Sequence, residues 1–273
     1  MNYKNWRFRK YTLTYIMKIR KNTAIKLSLI GLIVSSSVAS AQSINLGDAA
    51  SFGVLGASTV TNTGGTTING DLGVSPGTAI TGFLPGTYSG GIHTGTDSLA
   101  VSAKADARTA YNDLAAQTAT TNYGPIHIFN NDTLTPGVFN FPSSGEIAAG
   151  GTLTLDGDGT YIFQVGSTWV AKTLSSMVLT GGARAENIFF QVGSSATLGT
   201  YTTNFGTFIA DQSITAQTGA TIDEGRLLAL VAAVTLDTNT IAVPTSIAAP
   251  VVPEPSTFAL LGLASLGLLR RRR

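Results

Sequence analysis

The 273-residue sequence contains no cysteine, which excludes disulfides, thiolate metal sites and a thiol nucleophile. Its stability must come from packing rather than cross-links. It has two histidines, and only 12% of its residues are charged, against about a quarter in most globular proteins. What charge there is sits at the ends. Of 17 Lys and Arg, eight precede residue 27 and four are Arg270, Arg271, Arg272 and Arg273. Between residues 42 and 251, five basic residues stand against fourteen acidic ones, 5 − 14 = −9, so the formal +2 misdescribes the middle of the chain. A nucleic acid or an anionic membrane wants a basic patch, and this segment has none to offer. No residue pattern calls for a cofactor or a metal.

Threonine takes the place of charge, at about a sixth of residues 42–251, and it recurs with a period. Thr197, Thr215 and Thr235 sit in near-identical phrases at steps of 18 and 20 residues, and Thr200, Thr218 and Thr238 repeat those steps. An apolar run precedes each copy: Ile188-Phe189-Phe190, Phe208-Ile209-Ala210 and Leu227-Leu228-Ala229. A unit of about twenty residues is too short for two helices. Rich in Thr, Val and Ile with glycine corners, it predicts one β-solenoid coil per copy. Strand side chains alternate faces, so in Ile214-Thr215-Ala216 and Val234-Thr235-Leu236 the apolar residues fill the bore and the threonine points out.

Val60-Thr61 followed by Asn62-Thr63-Gly64 is an early copy, which makes the chain from there to about residue 150 an excursion. Ser75-Pro76-Gly77, Leu84-Pro85-Gly86 and Gly90-Gly91 predict successive turns of an irregular cap, about 73–95. Residues 97–117 read as the one strong helix. Thr96 or Asp97 caps it, and Leu99, Ala103, Ala107, Ala110, Tyr111 and Leu114 share a stripe that must be buried, most simply against a side of the solenoid. Pro125, Pro136 and Pro142 then break the chain into short connecting segments until Thr152-Leu153-Thr154 resumes the coil. Tyr161-Ile162-Phe163-Gln164-Val165 is nearly repeated 27 residues on, which implies a longer coil with a bulged corner at 171–176.

The two ends are address labels. Lys18, Arg20, Lys21 and Lys26 precede an apolar run and an Ala39-Ser40-Ala41 cleavage site, a secretory signal that sets residues 1–41 apart, with Met17 a more ordinary start than Met1. Residues 244–251 are a linker. In 252–273, Pro253-Glu254-Pro255, an apolar run over 257–269 and the four terminal arginines resemble the PEP-CTERM sorting signal of Gram-negative bacteria. That resemblance implies an apolar transmembrane helix with a cytoplasmic basic stop, an exosortase-type processing enzyme as partner, and delivery to the cell surface or extracellular polymer.

Within 42–243, Thr59-Val60-Thr61-Asn62-Thr63-Gly64, then 67–78, Ala110-Tyr111-Asn112, Leu134-Thr135-Pro136-Gly137-Val138, the phrase 191–200 and Val234-Thr235-Leu236-Asp237 resemble the bacterial and fungal ice-binding (antifreeze) family. The resemblance implies a mainly β fold: a right-handed β-solenoid of roughly triangular section with one long helix alongside and a cap. It also implies a flat, helix-free face that adsorbs to ice and inhibits its growth or recrystallisation. The outward rows nominate the contacts. Around the corner after each strand these are Thr200 and Thr203, Thr218 and Thr221, Thr238 and Thr240, with Thr63 and Thr67; Thr197, Thr215 and Thr235 follow. A threonine offers a hydroxyl beside a methyl on a stiff β-branched stem. Solvent-facing strands favour threonine too, so the rows alone do not name their ligand.

An enzyme would need paired carboxylates or a calcium cluster. Asp156-Gly157-Asp158 lies in a glycine-rich corner and reads as a turn; His93 and His127 each adjoin an isoleucine near turns, without a matching acid and nucleophile. The chain is therefore read as non-catalytic. Beside ice binding stands one alternative, an adhesion or structural module of the surface that holds extracellular polysaccharide.

Overall fold

The computed structural model describes residues 44–244. The leader 1–41, the linker beyond residue 244 and the sorting segment 252–273 lie outside that range. Among the described residues, 23 strands and one α-helix occur, and the strand pairings are parallel throughout. Parallel neighbours cannot be joined by a tight hairpin, so the chain must cross over before it returns. Here the crossover consists of two further strands, and the chain advances in three-strand tiers.

The first tier is β1 (Phe52–Gly56), β2 (Thr59–Thr63) and β3 (Thr67–Asn69). The second is β4 (Asp71–Val74), β5 (Ala79–Thr81) and β6 (Thr87–Tyr88), with β7 (Ile92–Thr94) beginning another. After helix α1 (Ser98–Ala115) come β8 (Thr121–Asn122), β9 (Ile126–Phe129) and β10 (Asp132–Leu134), then β11 (Gly137–Phe141), β12 (Ser144–Ile147) and β13 (Thr152–Asp156). Next are β14 (Tyr161–Val165), β15 (Trp169–Ala171) and β16 (Ser176–Thr180). The remainder are β17 (Ile188–Val192), β18 (Ala196–Leu198), β19 (Thr203–Ala210), β20 (Ile214–Ala216), β21 (Thr221–Ala229), β22 (Val234–Asp237) and β23 (Thr240–Ala242). The long strands β19 and β21 each end one tier and open the next.

Like strands stack into three ladders. Ladder A runs β7-β4-β1-β21-β19-β17-β14-β11-β8. Ladder B runs β5-β2-β22-β20-β18-β15-β12-β9. Ladder C runs β6-β3-β23-β21-β19-β16-β13-β10. Spatial order is not chain order: the first tier lies against the last, with Val54 beside Leu227 and Thr61 beside Thr235. The second tier closes that end of the stack, and the tiers after α1 begin at the opposite end.

The central ladder A strands are buried along their whole length, as in Phe52–Gly56, Tyr161–Val165 and Ile188–Val192. Their inward residues join the core and their outward ones meet α1, which is why they read as unbroken apolar runs. Ala103, Ala107, Ala110 and Leu114 of the helix pack with Leu55, Ile162, Phe189, Ile209 and Leu228. Asp97 caps α1 by accepting from the amides of Leu99 and Ala100 at 3.0 and 3.3 Å. At the other end Gln164 Nε2 donates to the Leu114 and Gln117 carbonyls, both at 2.8 Å, satisfying groups that a helix leaves unpaired. Inside the stack Phe163, Phe190 and Phe208 lie face to face, with centroids 4.5 and 4.2 Å apart and planes within 9° and 4°. Parallel register places like residues one strand spacing apart, which is close to aromatic stacking distance.

Three sequence expectations are corrected. Residues 73–95 are not an irregular cap: β5 and β6 pair with β2 and β3, and the three predicted turns are the corners of a regular tier. Strands β8 to β12 occupy 121–147, where connecting segments were expected, and with β13, which falls where the coil was expected to resume, they make two more tiers; the prolines sit at tier corners, outside the strands. The extra length of the 27-residue step is not at 171–176, since β15-to-β16 and β20-to-β21 take the same five-residue step; it lies in the loop and 3-10 turn between Thr180 and Ile188.

Candidate functional site

The predicted threonines all point outward, but they divide between two ladders and the corner joining them. On ladder B the strands alternate strictly. Ile214 and Ala216 are buried and Thr215 is not; Val234 and Leu236 are buried and Thr235 is exposed. Register then sets Thr81, Thr61, Thr235, Thr215 and Thr197 side by side as one outward column. The column continues as Val170, Glu146 and Ile128, and Glu146 pairs with Lys172 at 2.6 Å. Ser195 and Ser213 hydroxyls meet at 2.9 Å along its edge, as do Ser144 and Thr168 at 2.8 Å. The threonine column is thus held by an unbroken sheet, with the Asp237 carboxylate, two residues beyond Thr235 on the same outward side, at its margin.

Ladder C carries Thr87, Thr67, Thr240, Thr221, Thr203, Ser176 and Thr152 in one register. Thr87 Oγ1 reaches Thr67 Oγ1 at 3.4 Å. This column is less even. Only Ser176 and Thr203 pair between β16 and β19, the register slips between Phe205 and Gly206, and Asp223 and Glu224 follow Thr221 closely. Partial burial raises the Asp223 carboxyl above its ordinary pKa.

The corner row is engaged elsewhere. Thr218 donates to the Asp237 carboxylate, Thr238 Oγ1 donates to Asp237 Oδ1 at 3.0 Å, and Thr200 Oγ1 reaches Gln217 Oε1 at 3.4 Å. Tyr201, at φ 54° and 63% exposed, stands over Gly219, where an added Cβ would lie 2.5 Å from the ring. Such a corner is neither flat nor free. Thr63 lies at the ladder B margin beside Asp237, and Thr67 belongs to ladder C. The expected grouping of Thr200 with Thr203, and of Thr218 with Thr221, therefore spans a bend rather than one plane.

Sequence reasoning omitted Thr61 and Thr81 from the ladder B column and Thr87 and Thr152 from ladder C. The match of Val60-Thr61 to Ile214-Thr215 was the signal for Thr61; Thr81 and Thr87 lay in the stretch read as a cap. Other candidate groups are structural. Asp156 Oδ1 accepts from Thr180 Oγ1 at 2.9 Å. His93 Nδ1 lies 3.1 Å from the helix-capping Asp97, and the His127 ring sits 4.0 Å from that of Tyr123 and 4.5 Å from that of Phe129. Among the described residues no group of three or more His, Asp or Glu is placed to hold a metal.

Access separates the ladders. Ladder A is covered by α1, and residues before β1 pack there too, Leu46 and Ala49 against Ala103 and Ala107. The C-terminal chain leaves past ladder C, where the Val243 amide donates to Asn69 O at 3.0 Å. Ladder B carries neither the helix nor a described chain end.

A Nostoc sp. (strain HG1) protein named ice-binding protein is 44% identical over 265 residues, 93% of this chain and 96% of its own length. A Colwellia sp. ice-binding protein is 33% identical, covering 80% of this chain and 91% of that one. The crystal structure of an ice-binding protein from the Antarctic ascomycete Antarctomyces psychrotrophicus superposes with a TM-score of 0.70 at 45% identity, over 74% of this chain and 99% of that one. Residues 251–273 match the PEP-CTERM protein-sorting motif. With residues 54–242 matching the family described as ice-binding-like, the chain belongs to the ice-binding-like family.

Proposed function

We propose that the chain adsorbs to ice through ladder B, with Thr61, Thr81, Thr197, Thr215 and Thr235 as the central contacts, and so inhibits ice growth or recrystallisation. The tiers in this reading wind as a right-handed β-solenoid of roughly triangular section. The observation that carries it is the five-threonine column in unbroken parallel register on the ladder that, among the described residues, carries neither the helix nor a chain end. Neighbouring tiers repeat at ~4.8 Å, and a β-branched side chain on a packed sheet loses little freedom on docking. The PEP-CTERM match supports export, processing by an exosortase-type enzyme and a place at the cell surface or in extracellular polymer.

Purified 42–251 is expected to shape growing ice crystals and slow recrystallisation. Thr215→Tyr, a bulky group mid-column, should remove most of that activity with an unchanged circular dichroism spectrum. Thr221→Tyr, on ladder C, should leave most of it. A larger loss from Thr221→Tyr would move the site to ladder C. Unshaped ice together with binding to exopolysaccharide would replace the reading with the adhesion one.

A further inference from the structure

The two ends of the stack are finished differently. At the end formed by β8 to β10, the rings of Tyr123, His127, Phe129 and Phe141 pack over one another at 4.0 to 6.2 Å, and the exposed Ile126 and Ile128 of β9 stand in the outward register of ladder B. At the other end, β5 to β7 surround an open depression of about 940 Å3 whose lining includes Ile80, Phe83, Leu84, Tyr88 and Ile92. Leu84, at the tip of the turn between β5 and β6, is 96% exposed; Ile92 is 45% and Tyr88 42% exposed. Such a cluster at the rim of a monomer calls for a partner.

The route of the chain says which partner is at hand. Val243 leaves the stack from β23, and only β3 separates β23 from β6. The exit therefore lies two strand spacings, about 10 Å, from the apolar end. Twelve residues, 245–256, follow before the apolar run 257–269 and its four arginines. They span at most about 40 Å, so a bilayer holding that run is within reach of the depression. No Lys or Arg occurs in 71–95, and Asp71 and Asp97 flank His93 beside Ile92. Attraction to anionic headgroups is thereby ruled out as the driving term.

We propose that, while the C-terminal segment anchors the chain, the β5–β7 end rests on the surface of a zwitterionic bilayer. Leu84 and Ile92 enter the interface and Tyr88 sits at headgroup depth, where tyrosine is favoured. The anchor raises the local concentration of the end at the surface, so a small apolar contact suffices. Strand edges at this end stay within the hydrated headgroup layer, which an open sheet edge requires. The stack then stands off the membrane with ladders B and C turned sideways into the medium. This rests on the sorting-segment reading and is independent of what ladder B binds.

The absence of cysteine makes the test clean. Leu84→Cys and, at the opposite end, Ile126→Cys are introduced separately in the full chain and labelled with an environment-sensitive dye. The full chain is then reconstituted into phosphatidylcholine vesicles. The chain should float with the vesicles; the dye at 84 should shift to the blue and be quenched by nitroxide lipids, the dye at 126 should do neither, and phosphatidylserine should weaken the shift at 84. Flotation with an unshifted dye at 84 overturns the docking alone, whereas failure to float overturns the anchoring beneath it. A blue shift without vesicles also overturns the proposal, in favour of a second copy if it grows with protein concentration and of the chain's own apolar run if it does not.

Discussion

A single position in this stack is judged by the tier above and the tier below. Phe190 lies between Phe163 and Phe208 with all three rings nearly parallel, so Phe190→Ala opens a void that neither neighbour can fill. A loss of about 3–5 kcal/mol in urea unfolding is expected, with ice shaping retained at temperatures where the fold persists. Gly82 shows the same dependence in the backbone. It holds φ +76°, and a Cβ there would stand 1.8 Å from the Asn62 carbonyl oxygen of the adjacent tier. Gly82→Ala is expected to cost more than about 1 kcal/mol, read as a lower urea midpoint. The outward threonines behave oppositely: Thr215→Tyr touches no buried neighbour, so it separates function from stability.

At the scale of an element, α1 is tied to ladder A by apolar packing and by a few half-buried polar groups. Lys104 Nζ donates to Ala229 O at 2.6 Å, and Arg108 pairs with Asp211 at 2.7 Å. Burial, aided by the nearby Arg108 charge, lowers the Lys104 pKa from 10.5 to about 7. A depressed lysine means that the unfolded chain binds more protons above about pH 7, so stability rises with pH between 7 and 10.5. Comparing urea midpoints at pH 7 and pH 9.5, the native chain should gain on Lys104→Met; equal slopes would show that the ammonium is solvated. Asp211 acts with the same sign in a lower pH window. Its hydrogen bond from Arg108 lowers its pKa, so its contribution is present above the ordinary aspartate value and fades as acid protonates it.

At the scale of the whole molecule, the first tier is held by the last. Asn239 donates its amide to Thr66 Oγ1 across 173 residues of sequence, and Val54 and Leu55 pair with Leu227 and Leu228. Contacts so distant in sequence make for slow folding, and neither half of the chain has a complete set of neighbours. Fragments 44–117 and 118–244 are expected to be insoluble or unfolded alone but to co-purify as a folded complex when expressed together. Independent folding of 44–117 would show that its two tiers need no partner.

The amino-acid sequence by itself determined which way side chains point. The alternation of Ile214, Thr215 and Ala216 is a property of two bonds of strand, so apolar-in and threonine-out, the capped helix stripe and the period near twenty were all legible. Three-dimensional pairing decided the rest. Whether Thr200 lies in the plane of Thr203 depends on where the chain bends, and whether Thr81 joins Thr61 depends on which tier stacks on which. The second tier is not legible in the sequence because its corners hold prolines and glycines and β5 and β6 are only three and two residues long, too few to display a period. Strand direction is a local quantity and adjacency is not, because it is fixed by hydrogen bonds between segments that the sequence keeps far apart.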